Sequence, residues 1–212
     1  RQAGLAGPLP VKPLSFSTRT DEILGESYWM NNSRAGTEGF DLYFPASSLN
    51  AGAERLYVAA GKVGGRFCGW QALEISRVEA GVPRFGADMD ESNLPPEAGL
   101  EVRAISYTKG CYIGQEVIAR IRTYGQVAKV LRGLRFSDDL NALPVKGDKL
   151  FNQGKEVGYV TSAVDSPTLK AKIGFGYVRR EVNRLGAELE VRTSSGHGMA
   201  TVVGLPFGVV SA

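Results

Sequence analysis

Val127-Ala128-Lys129-Val130-Leu131-Arg132-Gly133-Leu134-Arg135-Phe136 carries apolar residues at Ala128, Val130, Leu134 and Phe136, the two-residue period of a half-buried strand. The alternation returns at Leu189 and Val191, and turns such as Ser195-Gly196-His197-Gly198 separate the apparent strands. Upstream the spacing changes. Leu49, Ala53, Leu56 and Ala60 recur at helical intervals before Gly61, and residues 71–80, with Ala72, Ile75 and Val78 toward the core, read as a second helix stopped by Gly81-Val82-Pro83. Phe40-Asp41-Leu42-Tyr43-Phe44 alternates like a strand closed by Pro45, whereas residues 1–13, rich in Gly, Pro and Ala, form an extended lead-in. The expected fold class is α+β, with an α+β domain over residues 1–124 and a small antiparallel β-barrel of about six strands over residues 125–212.

Composition sets wide bounds. A chain of 212 residues, 43% hydrophobic and 22% charged, is long enough to bury a real core. A net charge of +3 falls short of the concentrated basic field of a dedicated nucleic-acid binder, so no direct nucleic-acid partner is expected. The two cysteines, Cys68 and Cys111, form no C-x-x-C pair and support neither a disulfide scaffold nor a zinc site. No apolar run approaches the ~20 residues that span a bilayer, and the start lacks a signal pattern. The expectation is a cytoplasmic protein with reduced thiols and no membrane partner.

The densest chemistry lies in Lys109-Gly110-Cys111-Tyr112-Ile113-Gly114-Gln115-Glu116. A free cysteine is ordinarily a small packed hydrophobe. Here Lys109 and a helix expected to start at Gln115 place positive potential near the sulfur and favour the reactive thiolate. Cys111 is therefore the candidate functional thiol, whereas Cys68, between Phe67 and Trp70, reads as packed. Tyr112, Gln115 and Glu116 are candidates to line the same site, although Gln-Glu also suits a first helical turn and Glu116 stands four residues before Arg120, the spacing of a surface ion pair. Arg120, Arg122, Lys129, Arg132 and Arg135 cluster around Tyr124, either to meet an anion or as a solvated face. Lone His197 reads as an exposed hairpin residue, and neither Gly174-Phe175-Gly176 nor Gly61-Lys62-Val63-Gly64-Gly65 has nucleotide-loop spacing.

The octet resembles the K-G-C-Y-x-G-Q-E signature of the folate-binding YgfZ proteins, relatives of the glycine-cleavage T protein. Arg77-Val78-Glu79-Ala80-Gly81-Val82-Pro83-Arg84-Phe85-Gly86-Ala87-Asp88 is similar to the family's R-x-E-A-G-x-P-R-x-G-x-D segment, with Glu97-Ala98-Gly99-Leu100 following. Gly158-Tyr159-Val160-Thr161-Ser162, Ser166-Pro167-Thr168-Leu169 and Leu205-Pro206-Phe207 resemble the family's C-terminal barrel. Gly36-Thr37-Glu38-Gly39-Phe40-Asp41 is similar to the T protein's T-G-E-D-G-x-E, whose last acid contacts the pterin. Carried over, that contact falls on Asp41, a carboxylate able to accept a pterin's adjacent N–H donors side by side.

The resemblance implies a partial folate-binding domain followed by a barrel domain, and tetrahydrofolate or a folate derivative as ligand. Cys111 would be the catalytic residue, with Asp41, Lys109, Tyr112, Gln115 and Glu116 binding the cofactor. Iron–sulfur client or assembly proteins are the implied partners, and accessory work in iron–sulfur cluster assembly or repair and cluster-dependent tRNA modification the implied function. The alternative is a tetrahydrofolate-dependent aminomethyltransferase, against which stands Leu73, where the T protein carries arginine. Family members carry a substantial segment upstream of this region, so the chain reads as a fragment, with weak or undetectable folate binding expected of this chain alone.

Overall fold

The computed structural model describes residues 8–125 and 127–207, which divide into two units, one ending at Ser76 and the other starting at Arg77. In the first, β1 (Phe16–Asp21) and β2 (Gly25–Asn31) form a hairpin, and β3 (Phe40–Tyr43) pairs with β2, all antiparallel in the order β1-β2-β3. Asp21 shapes the hairpin turn: its Oδ1 accepts the amides of Ile23 at 2.9 Å and Leu24 at 3.0 Å, and the Arg55 guanidinium at 2.9 Å. Sequence spacing pointed to β3 but not to β1 and β2, whose outward face carries Phe16 and Tyr28 in place of polar residues.

α1 (Leu49–Gly61) and α2 (Trp70–Glu79) fall where helical spacing put them. Two details differ. Leu49 is 59% exposed in the first turn of α1, which instead buries Gly52. In α2, Val78 is fully buried, but Ala72 is exposed and the charged Arg77 takes a core position.

The second unit holds α3 (Glu101–Ala104), α4 (Gln115–Tyr124) and six strands: β4 (Lys129–Phe136), β5 (Lys149–Asn152), β6 (Lys155–Ser166), β7 (Ala171–Arg179), β8 (Glu188–Thr193) and β9 (Gly196–Val203). They close into an antiparallel barrel in the order β4-β7-β6-β5-β8-β9, as the period-two spacing predicted. Leu134, Phe136, Leu150, Val160, Val178, Leu189, Val191 and Val202 fill its interior. Closure removes free strand edges, and the inward alternation supplies the core. Within residues 127–207 the sole helical segment is the single 3-10 turn Arg180–Val182.

Segments far apart in sequence interlock in this unit. The Arg77 guanidinium donates to Asp88 at 2.6 Å, to the Val82 carbonyl at 3.2 Å and to Ser162 Oγ at 2.8 Å. Asp88 also accepts the hydroxyls of Thr161 at 2.7 Å and Ser162 at 2.6 Å and the Arg84 amide at 3.0 Å. The side chains of Arg77 and Asp88 are only 4% and 0% exposed. A charge pair so removed from water persists because nearly every lone pair of the carboxylate is matched. Glu79 accepts the Ser166 hydroxyl at 2.5 Å, and its carbonyl accepts the Phe207 amide at 3.2 Å. Gly81, at φ +71°, lies against Pro206, where a Cβ would come within 3.0 Å of its Cα. The Glu97 carbonyl accepts the Leu131 amide of β4 at 2.7 Å. This cover over the outside of β4 explains why Leu131 is buried out of phase with the alternation.

Candidate functional site

The residues singled out by sequence fall in two places, one in each unit. Lys109, Tyr112, Gln115 and Glu116 come together with Ser106, Tyr107 and Ala119 around a groove of about 410 Å³ between the loop after α3 and the first turns of α4. The loop is folded by its own polar groups. The Lys109 amide donates to Ser106 Oγ at 3.2 Å, the Tyr112 amide to Gln115 Oε1 at 3.3 Å, and the Gln115 amide to the Tyr112 carbonyl at 3.3 Å. Gln115 thus fastens the entry to α4 in the manner of a capping residue. Gly114 is the N-cap at φ +87°, a left-handed conformation that strains any residue with a Cβ. Because nothing lies within 4 Å of a Cβ built there, backbone conformation rather than crowding calls for glycine.

Two aromatic rings in the groove each carry a cation. The Lys109 ammonium stands 4.5 Å from the Tyr112 ring centroid and the Arg122 guanidinium 4.0 Å from that of Tyr107. Burial pushes the Tyr107 phenol up, Glu101 adds to the rise through its charge and a 3.2 Å hydrogen bond, and Arg122 opposes it. Glu116 pairs with Arg120 at 3.1 Å in solvent, the expected surface pair. Cys111 is exposed, three residues before the N-cap of α4 and beside the groove in sequence. Cys68 is exposed as well, so the reading of it as packed is corrected. Its neighbours Phe67 and Trp70 are themselves 61% and 65% exposed, and offer it no core.

The anticipated basic cluster is dispersed into separate local contacts. Arg120 meets Glu116, Arg122 meets Tyr107, Lys129 donates to Tyr159 Oη at 3.2 Å, and Arg132 hydrogen-bonds Asn183. His197 is exposed at the start of β9. Among the described residues no group of His, Cys, Asp or Glu is arranged to hold a metal ion, and no helix is long and apolar enough to cross a membrane.

Asp41 lies in the other unit, on β3. The register sets Phe16 opposite Met30 and Met30 opposite Asp41, and in the next row Thr18 opposite Tyr28 and Tyr28 opposite Tyr43. Laterally paired residues share a face, so one face of the sheet groups the carboxylate with three exposed aromatic rings: Phe16, 62%; Tyr28, 40%; Tyr43, 49%. Sequence spacing put Asp41 on a strand but could not show this aromatic platform, which the register of three strands assembles. Asp41 Oδ1 accepts Arg34 Nε at 2.7 Å, and Oδ2 accepts Arg34 Nη2 at 2.7 Å, Asn32 Nδ2 at 2.8 Å and Tyr43 Oη at 3.4 Å. The Arg34 guanidinium, helped by Asn32, holds the carboxyl below the ordinary range against the opposing effect of burial. A flat apolar surface with an anionic edge suits a planar ring that presents N–H donors, so the chemistry of these residues fits a pterin.

The comparisons with known proteins agree with this architecture. Residues 20–109 match the GCVT N-terminal domain, and residues 129–208 match the glycine cleavage T-protein C-terminal barrel domain. An aminomethyltransferase of Geobacillus kaustophilus is 30% identical over 197 residues, covering 93% of this chain and 53% of that protein. One of Moorella thermoacetica is 32% identical over 219 residues, covering 97% of this chain and 59% of its own length. In structure, the chain superposes on the glycine cleavage system aminomethyltransferase T of Bartonella henselae with a TM-score of 0.77 at 23% identity, across 97% of this chain and 55% of that one. The chain therefore spans somewhat more than half the length of the relatives it matches. With an N-terminal and a barrel family model matched in the right order, and the closed barrel in place, the chain belongs to the glycine-cleavage T-protein-like family.

Proposed function

We propose that the protein is a folate-binding, YgfZ-like accessory factor for iron–sulfur cluster assembly or repair, serving enzymes such as those that thiolate tRNA, with Cys111 as its reacting residue. The observation that carries this reading is the exposed thiol of Cys111, in the K-G-C-Y-x-G-Q-E octet, three residues ahead of the α4 N-cap and between sequence neighbours Lys109 and Tyr112 that help line the groove. The positive end of the α4 dipole favours negative charge nearby, and an exposed sulfur is open to a partner protein or a transient cluster. Since iron–sulfur clusters normally take four cysteine ligands and this chain has two, any ligation by Cys111 is shared with a client. Folate, when bound, supplies a one-carbon carrier. Asp41 would accept the pterin's donors while the exposed aromatic face receives its ring. We also propose that the folate-binding part extends through Tyr124 and the barrel part starts at Gly125, a division supported by the left-handed C-cap that ends α4 at Gly125.

A second reading has its own support. The aminomethyltransferase relatives at 30% and 32% identity favour a tetrahydrofolate-dependent aminomethyl transferase, whereas Leu73 and Cys111 depart from that pattern. Complementation separates the two. In a strain lacking its YgfZ-like protein, the gene carrying Cys111→Ala is expected to leave cluster-dependent enzymes impaired, while Cys68→Ala restores them, and alkylation of Cys111 is expected to outpace that of Cys68. Full rescue by Cys111→Ala, together with folate-dependent aminomethyl transfer in vitro, would replace the accessory role with the transferase.

A further inference from the structure

The hydrogen bonds around Asp41 bear on which ligands its edge is free to take. A carboxylate offers about four lone-pair sites, two on each oxygen. Arg34 occupies one site on Oδ1 at 2.7 Å, while Oδ2 meets Arg34 at 2.7 Å, Asn32 at 2.8 Å and Tyr43 at 3.4 Å. Counting donors among the described residues, Oδ2 therefore has no site left, and Oδ1 has one. A planar ligand that presents two adjacent N–H donors needs one site on each oxygen, which opens only if a present donor withdraws.

The donor best placed to withdraw is Arg34. Its Nε and Nη2 deliver two parallel N–H bonds to the two oxygens, the pattern that a pterin's ring N–H and neighbouring amino group would supply. Its side chain is 53% exposed, against 16% for Asp41, so it can swing into water without opening the sheet. Asn32 is tied differently. It precedes the turn back to β3 and donates its amide to the Gly39 carbonyl at 2.9 Å, which fixes its side chain near Oδ2.

We infer that Arg34 is a latch on the Asp41 edge: a single donor can take the free site on Oδ1 with the arginine in place, whereas a planar molecule presenting two adjacent N–H donors above the Phe16, Tyr28 and Tyr43 face engages both oxygens only when the arginine swings out. The inference rests on the reading of Asp41 as the pterin contact. A bidentate ligand replaces both bonds that the arginine gives up and gains ring stacking on the face, whereas a single donor adds to Oδ1 beside the arginine and gives it no reason to leave. Arg34 thus acts as a built-in competitor whose removal raises affinity for the right ligand.

Calorimetric titration of tetrahydrofolate into the 212-residue chain and its variants tests this. Arg34→Gln is expected to bind about tenfold more tightly than the parent, the scale of a bidentate contact with one half-exposed partner. Arg34→Lys, which keeps the charge and loses the fork, is expected to show most of that gain. Adding Asp41→Asn to Arg34→Gln should abolish it. Equal affinity in parent and Arg34→Gln, with Asp41→Asn weakening both, would overturn the latch and leave the pterin contact standing. Affinities insensitive to Asp41→Asn, or no binding by any variant, would remove both the contact and the latch.

Discussion

Tyr177, on β7, is 1% exposed, and its hydroxyl has no hydrogen-bond partner among the described residues. Burial pushes the phenol well above the usual tyrosine value, and the nearby Tyr159, Glu97, Asp88 and Asp90 add to the rise. A group whose proton is held more tightly in the folded state contributes stability that is complete below its unfolded value of about 10 and falls as pH climbs past it. The protein is expected to lose stability steeply above about pH 10. Tyr177→Phe should reduce that loss, and near neutrality it should be neutral or slightly stabilising, because it deletes an unsatisfied buried hydroxyl. Denaturant unfolding at neutral and alkaline pH checks both parts. An undiminished alkaline loss in the variant would assign it to other groups. Gly114 provides a second single-residue test. Alanine there must adopt φ near +87°, at a cost of about 1 kcal/mol, read as a lowered denaturant midpoint with no change in the fold.

Among the elements, β6 is joined by hydrogen bonds to the last turn of α2 and to the segment that follows it. Thr161 and Ser162 hold Asp88, Asp88 holds Arg77, and Ser166 holds Glu79. Removing one member of a buried ion pair strands the other, so Asp88→Ala is expected to destabilise the second unit by about 3–5 kcal/mol. Ser166→Ala removes the hydrogen bond its hydroxyl donates to Glu79 and the one it accepts from the Leu169 amide, and should cost about 1–3 kcal/mol. Equilibrium unfolding of the two variants ranks the contacts, and an Asp88→Ala cost below that of Ser166→Ala would contradict the central place of the Arg77–Asp88 pair. The R-x-E-A-G-x-P-R-x-G-x-D motif is thus explained by architecture: its arginine, first acid, glycine and last acid each meet a specific partner on the barrel or the chain end. Its function is to clasp, and no reacting role follows for Arg77 or Asp88.

The closed barrel and its clasp lie wholly within the unit that starts at Arg77. A chain restricted to residues 77–212 is therefore expected to fold cooperatively, with dispersed amide resonances, and Asp88→Ala is expected to lower its midpoint as it does in the longer chain. Failure of that segment to fold would show that its core needs residues before Arg77. Local spacing was enough to reveal the barrel, α1, α2 and the entry to α4, because period-two and helical patterns are set by which face of each element meets the core. The octet likewise holds Lys109, Tyr112, Gln115 and Glu116, which line one groove because they are neighbours along one loop and one helix. Chain order was silent on the burial of Arg77, since its partners Asp88 and Ser162 are brought to it by the fold. It was silent, too, on the exposure of Cys68 and on the aromatic face around Asp41, which depends on the register of three strands. Patterns along one element survive in the sequence, whereas partners drawn from distant segments exist only once the chain has closed on itself.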